Sequence, residues 1–428
     1  MLWLIVGIAC LTVGLTGMWL RKSKLLQQWR GLSDQLSLRL VPGHLWRYPH
    51  LEGRNNMVPL RVEMRSYSSS QGQKNYVFIV AQARPVIEEL HICLRPENAE
   101  NIPSVQTGDL AFDKAIQVQG REEIVLACLG AAGRASAWEV VHTLRGTVVN
   151  GAIECPVGPL DTDHERYKRT LESVLELAQS FDLDPDAVPE QLHKNLQTEM
   201  DPNVRHTTLD VLLQHFPESK AAQKAAAKAH HDPDSRVQLA GAKHPQEHSS
   251  LQQIGNVLLS NASVSVRQDA LQHLVNIGPA SQILPLLIDR LTDTSSTIQC
   301  EAARALGKLG DPRCVDALIR RSDSADASLL RAIADAFGEL GTADSQPTLL
   351  HMLKHTDSTV QIAAMAALGR VGTATILERL VPYTKGLMAE GPLRQAAIAA
   401  VQQVEKRIEE QSADVLTPPK KSENDPMN

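Results

Sequence analysis

The sequence predicts three parts in succession: an N-terminal transmembrane helix, an α+β domain, and an all-α right-handed solenoid of helical hairpins. Three observations carry that division. Residues Leu2 to Leu20 contain no charge, strand-like alternation crowds the chain before residue 160, and from Asp201 onward a motif returns about every 31 residues.

The first stretch, LWLIVGIACLTVGLTGMWL, is nineteen residues long, the length a helix needs to cross a hydrocarbon core of ~30 Å. Trp3 and Trp19 stand at its ends, where indole rings favour the membrane interface. A cleavable signal needs a basic region before the apolar run and a small-x-small site after it; neither is present. Cys10 falls in mid-run and Gly7 occupies the place where a lipoprotein signal carries leucine. Arg21, Lys22 and Lys24 follow the run, so the positive-inside tendency places the C-terminal bulk in the cytoplasm. Residues 1–21 are thus expected to anchor the chain in an inner membrane, with the lipid bilayer as partner of residues 2–20. The six cysteines, Cys10, Cys93, Cys128, Cys155, Cys300 and Cys314, are scattered without a C-x-x-C pair, as suits a reducing compartment.

An α+β domain is expected over residues 30–160. All five tryptophans lie at or before Trp138. Period-two alternation marks strands at Val58 to Tyr67, Asn75 to Ala83 and Glu89 to Arg95, the first two joined by SSSQGQK. TGDLAFDKAIQVQG, Thr107 to Gly120, is followed by a helical region to about Leu144 and by GTVVNGAIECPVG, a strand pair. Residues 161–200 are connecting helices, the first from Asp161 to about Phe181. In Thr107 to Asp113, Asp109 and Asp113 are the candidate site: a carboxylate pair for metal or acid-base work. The competing reading makes Gly108-Asp109 a turn, Phe112 a core anchor and Asp113 a local cap. No histidine, third carboxylate or nucleophile stands at a fixed short spacing beside them.

The solenoid is expected over residues 201–407. The glycine pairs Gly307/Gly310, Gly338/Gly341 and Gly369/Gly372 recur every 31 residues, while Lys308 becomes Glu339 and then Arg370. A phosphate cradle would keep the lysine, whereas a turn after an apolar helix needs only glycine in a left-handed C-cap. A second marker, in DPNVR, DPDSR and SVSVR and continuing as STIQ, ASLLR, STVQ and GPLR, gives Arg205, Arg236, Arg267, Gln299, Arg331, Gln361 and Arg394, with gaps of 31, 31, 32, 32, 30 and 33. Seven helix-turn-helix units fit, each unable to bury its apolar face alone. The second unit is irregular: GAKHPQEHSS interrupts the pattern, so a shortened helix is expected there. Second helices near Pro279 to Arg290, Pro312 to Arg321, Ala343 to Lys354 and Thr375 to Thr384 are expected to form the binding surface. Residues 408–428 are polar and Pro-containing, the composition of a disordered tail.

These residues resemble HEAT repeats, of the short bacterial kind also seen in bilin lyases, over about Asp201 to Arg407. The resemblance implies a ladder of Asp and Arg between neighbouring units, carried here by Asp201, Asp232, Arg205, Arg236, Arg267, Arg331 and Arg394 and interrupted at Gln299 and Gln361. The run T-G-D-x-x-F-D resembles a segment of bacterial membrane-anchored proteins that place such a domain before HEAT-like repeats, and implies no activity.

Between Asp201 and Arg407 stand 21 Lys plus Arg and 21 Asp plus Glu, with only Phe216, Phe337 and Tyr383 as aromatics. That composition disfavours nucleic acid. Eight histidines, including His193, His231, His244 and His248, fall between residues 193 and 273. Pro245 breaks the His244/His248 face and no H-E-x-x-H occurs, so these are expected to be solvated turn residues rather than metal ligands. Dinucleotide and nucleophile-elbow motifs are also missing. The expectation is a non-enzymatic scaffold without cofactor that holds a protein partner at the membrane. An activity around Asp109 and Asp113, or a bilin-lyase-like role, is the alternative.

Overall fold

The computed structural model describes residues 24–43, 48–55, 57–69, 72–83, 89–97, 102–160, 164–244, 250–260, 262–385 and 391–416. The expected span Leu2 to Leu20 lies outside the described residues, as does His248. Among the described residues no single helix is long and apolar enough to cross a membrane. The chain divides into two compact units, Met1–Gln246 and Glu247–Asn428.

The first unit opens with helix α1 (24–36). Trp29, Leu32 and Leu36, spaced three and four apart on one face, are buried in the core. Among the described residues eight strands follow: β1 (Arg39–Val41), β2 (His50–Asn55), β3 (Val58–Ser69), β4 (Gly72–Gln82), β5 (His91–Leu94), β6 (Ile116–Gln119), β7 (Thr147–Val149) and β8 (Ala152–Gly158). They form one antiparallel sheet in the order β1-β2-β3-β4-β8-β7-β5-β6. The expected strands correspond to β3, β4, β5 and the β7/β8 pair; β1, β2 and β6 are additional.

Alternation decides which face is covered. Leu60, Val62, Val77, Ile79 and Ala81 are buried, whereas Arg61, Tyr67 and Lys74, at positions of opposite parity, are exposed. The inner face meets α5 (His164–Ser180), which packs on β4 and β8 and buries Tyr167, Leu171 and Val174. Each large apolar side chain buried this way contributes about 1.5–3 kcal/mol. Asn150 and Gly151 both take positive φ, 51° and 75°, so the β7–β8 turn has the twist that two-residue hairpins favour.

The expected helical region before Leu144 is three pieces: α3 (Glu122–Cys128), α4 (Ala131–Ala137) and a π-helical turn, Trp138–Thr143. The short α2 (Leu110–Ala115) precedes β6. After α5 come α6 (Val188–Thr198), α7 (Pro202–His215), α8 (Lys220–Ala229) and α9 (Ser235–Ala242). At 8 residues α9 is shorter than the 14-residue α7; it ends at Ala242, two residues into GAKHPQEHSS.

The described residues of the second unit form α10 (Ser250–Leu259), α11 (Val264–Ile277), α12 (Ala280–Arg290), α13 (Ser296–Leu309), α14 (Val315–Ser322), α15 (Ala327–Leu340), α16 (Gln346–Met352), α17 (Ser358–Val371), α18 (Ala374–Thr384) and α19 (Gly391–Leu416). The first helices α13, α15, α17 and α19 stack on one another in sequence. The glycine pairs divide into two roles. Gly310 and Gly341 are left-handed caps with φ 69°, but Gly372 is extended, with φ −67° and ψ 143°. Gly307, Gly338 and Gly369 are not turn residues: they lie inside helices. A Cβ on Gly307 would stand 2.6 Å from the Ala336 Cα, and one on Gly369 3.1 Å from the Ala400 Cα. Those glycines let the backbones of neighbouring first helices approach. The segment from residue 408, expected to lack structure, is helical as far as Leu416, with Lys406 and Glu410 3.6 Å apart one turn away on the same face.

Candidate functional site

The run Thr107 to Asp113 is built as a closed loop around Asp113. Its buried carboxylate accepts hydrogen bonds from the Thr107 amide at 2.9 and 3.0 Å, the Thr107 hydroxyl at 2.9 Å and the Gly108 amide at 3.0 Å. Burial pushes the Asp113 carboxyl above its ordinary range, against the pull of these donors, and the neighbouring Asp109 charge adds to the rise. Asp109 is the N-cap of α2, accepting from the amides of Ala111 and Phe112 at 3.1 Å each. Its other oxygen lies 3.4 Å from Arg134 Nε. Phe112 is buried. Asp109 and Asp113 therefore sit side by side, each engaged by donors of its own chain.

Gly108 shows what the loop is packed against. It takes φ 86°, and a Cβ there would lie 2.7 Å from the Asn203 carbonyl oxygen at the start of α7. Only glycine combines that backbone with that approach. Arg134 extends the same junction, donating to Glu199 at 2.8 Å and to the Leu129 carbonyl at 3.1 Å. Glu199 in turn accepts from the amides of Met200 and Asp201 at 3.0 and 3.2 Å. Arg134 and Glu199 escape a reading of the sequence because 65 residues separate them; no local motif announces the pair.

Among the predicted ladder residues, Arg205 grips Asp232 with two bonds of 2.8 Å and donates to the Met200 carbonyl at 2.8 Å. Arg267 binds Asp293 at 2.8 Å and also the Ala262 carbonyl. Asp293, absent from the predicted set, is the counterpart of Asp232. Each accepts from the backbone amide two residues on, of Asp234 or Ser295, at 2.8 Å. Arg290 adds a second guanidinium to Asp293, at 3.0 Å. Burial pushes the Asp293 carboxyl up, but the Ser295 amide, Arg267 and Arg290 outweigh it and hold it below its ordinary value.

The other predicted ladder positions do different things. Asp201 caps α7 through the Asn203 amide at 2.8 Å. Arg236 turns to Asp234 at 2.8 Å and to Asn203 at 2.7 Å, and Arg394 donates to the Thr384 carbonyl at 2.9 Å. Arg331 lies close enough to Asp357 to help hold its carboxyl below the ordinary range, after the hydroxyl and amide of Thr359. Gln299 and Gln361 tie their helices to the carbonyls of Asp293 and His355, six residues upstream. Gln299 also accepts from Arg321 at 3.0 Å.

A cleft of about 650 Å³ opens between α6, α7 and α8. Leu196, Leu209, Ala225, Ala229 and Val237 form its apolar lining, and His193, Lys228, His231 and Met200 line it with polar or flexible groups. Alanines on α8 leave the space unfilled. Burial, with the charges of Lys228 and Lys224, holds His193 below its ordinary value, against Glu190.

Among the described residues no three His, Cys, Asp or Glu side chains are grouped to hold a metal. His244 is not a solvated turn residue: it is buried, with Nε2 2.9 Å from the Pro217 carbonyl. Burial pushes the Cys128 thiol up to about 12, and burial with Glu139 does the same to Cys155, which makes both poor nucleophiles.

HEAT repeats match residues 251–335 and 321–402. No curated protein matches the chain. Among solved structures, the crystal structure of an engineered protein from the Northeast Structural Genomics Consortium is similar at 20% identity, covering 57% of this chain and 75% of that chain, with a TM-score of 0.35. The helical hairpins of residues 251–402 are thus similar to HEAT repeats.

Proposed function

We propose that the protein is a membrane-tethered, non-enzymatic scaffold whose helical repeats hold a protein partner. The observation that carries this reading is the HEAT-repeat match over residues 251–402, since stacked hairpins present an extended surface suited to protein binding. The carboxylates of Asp109 and Asp113 support it from the other side, because their oxygens are occupied by local donors. Likeness to the repeats of bilin lyases concerns the repeat and brings no lyase chemistry. Tethering rests on the uncharged run Leu2 to Leu20, its flanking Trp3 and Trp19, and the basic Arg21, Lys22 and Lys24. The repeats then lie on the cytoplasmic side of an inner membrane.

One experiment tests both halves. The full-length chain, a version lacking residues 251–402 and a version lacking residues 2–20 are expressed in the native host, crosslinked and recovered from alkali-washed membranes. The full-length chain is expected in the membrane with a crosslinked protein partner. The repeat deletion should stay in the membrane and lose the partner; the 2–20 deletion should leave the membrane. Equal partner recovery without the repeats overturns the scaffold, and membrane retention without residues 2–20 overturns the tether.

A further inference from the structure

The cleft between α6, α7 and α8 has an imbalance of charge that the described residues do not resolve. Three carboxylates line it, and each is already paired. Glu199 is held by Arg134 at 2.8 Å and by two backbone amides. Asp232 is held by Arg205 at 2.8 Å, and Asp234 by Arg236 at 2.8 Å. The lysines of α8 are left over. Lys220, Lys224 and Lys228 recur every four residues and are exposed, so they form one stripe along the helix. None of the three has an ion pair among the described residues. Like charges four apart repel, and α8 contains no acidic residue to relieve them.

The stripe ends at an apolar hole. Lys228 is itself a lining residue, and the floor between Leu196, Leu209 and Val237 is left open because α8 contributes only Ala225 and Ala229 to it. Met200, 88% exposed, stands at the lip, an adaptable side chain of the kind used at binding surfaces. His193, held below its ordinary value, adds a neutral ring wall, with Nδ1 buried and lacking a hydrogen-bond partner among the described residues.

We infer that this cleft is a docking site for an acidic segment of a protein partner, which inserts one large apolar side chain between α6 and α8 and sets carboxylates four residues apart against Lys220, Lys224 and Lys228. The inference rests on the scaffold reading and supplies the chemistry of the partner. Helix-in-groove recognition has this form: apolar anchors give affinity, and flanking charge gives register and rate. The site lies wholly in residues 193–237, apart from residues 251–402, so it stands or falls separately from the repeat deletion described above.

Fluorescence anisotropy of a labelled helical peptide, with glutamates four residues apart and a single leucine, tests it on the full-length chain. Binding is expected at low salt and should weaken as salt rises. Replacing the leucine with alanine, or Lys220, Lys224 and Lys228 with glutamine, should each weaken binding by about tenfold or more. Ala225→Leu should fill the hole and block the peptide, and the exposed glutamine variant keeps the test valid should that protein fail to fold. No binding of the acidic peptide at low salt overturns the inference. So does equal binding by the glutamine variant, or an affinity for the leucine-free peptide or for an oligothymidine as high as for the anchored peptide.

Discussion

Asp113 in the first unit and Asp293 in the second are buried to nearly the same degree, 8% and 6% exposed, yet they are stabilised by opposite means. Asp113 is surrounded by neutral donors, two amides and a hydroxyl. Asp293 has one amide, the Thr294 hydroxyl at 3.5 Å and two guanidinium groups, Arg267 and Arg290. The neutral cage leaves the carboxyl above its ordinary range, and the charged one pulls it below. A buried carboxylate is therefore no index of chemistry by itself: in both loops it organises a backbone turn, and its partners decide how it titrates.

The strongest way to break this comparison is Asp293→Ala. Removal would leave Arg267, itself 7% exposed, as a buried cation without its counter-ion, which costs about 3–5 kcal/mol. All five tryptophans lie at or before Trp138, so the change should appear in the helical circular-dichroism transition in urea. An unchanged midpoint would show that Arg267 and Arg290 find other partners and that the rung is dispensable.

Asp113→Ala should cost less, because it strands neutral donors instead of charge. Leaving the Thr107 and Gly108 amides and the Thr107 hydroxyl without their acceptor predicts a loss of about 1–3 kcal/mol, followed by the fluorescence of the buried Trp29. A loss equal to that of Asp293→Ala would mean that counter-charge does not distinguish the two sites.

The two loops also differ in how far the sequence betrays them. Thr107 to Asp113 is contiguous, so Gly108 as turn, Phe112 as core anchor and Asp113 as local acceptor are all visible as one of two readings; the approach of Asn203 to Gly108, 95 residues further on, is what no local pattern encodes. The Asp293 rung is harder. Arg267 stands out by its spacing in the repeat, but Asp293 sits in TDTSS, where one acidic turn residue looks like any other, and its partner is 26 residues upstream. Periodicity exposes the helices and the glycine pairs because every unit repeats the same packing problem. It does not separate Gly310, which turns the chain, from Gly307, which admits the next helix. Strands β1 and β6, of three and four residues, are too short for alternation to register.

The finest test of the comparison uses pH, because the two shifts have opposite sign. Asp293 has a folded value below its unfolded one, so its contribution to stability is present above the ordinary aspartate range, about 3.9, and fades as pH falls through the folded value. Asp113 has a folded value above its unfolded one, so its contribution is largest below that range and fades as pH rises through the folded value. Urea midpoints of the natural chain and of Asp293→Asn should therefore converge as the pH is lowered from 7 through the acid range. Those of the natural chain and Asp113→Asn should diverge over the same interval, in favour of the natural chain. These trends carry a sign that truncation does not. If both gaps moved in the same direction, one of the two carboxylates would have to be titrating against partners other than those that now surround it, and the Asp113 loop, with no guanidinium to fix its charge, is the one whose neutral cage would have to be redrawn.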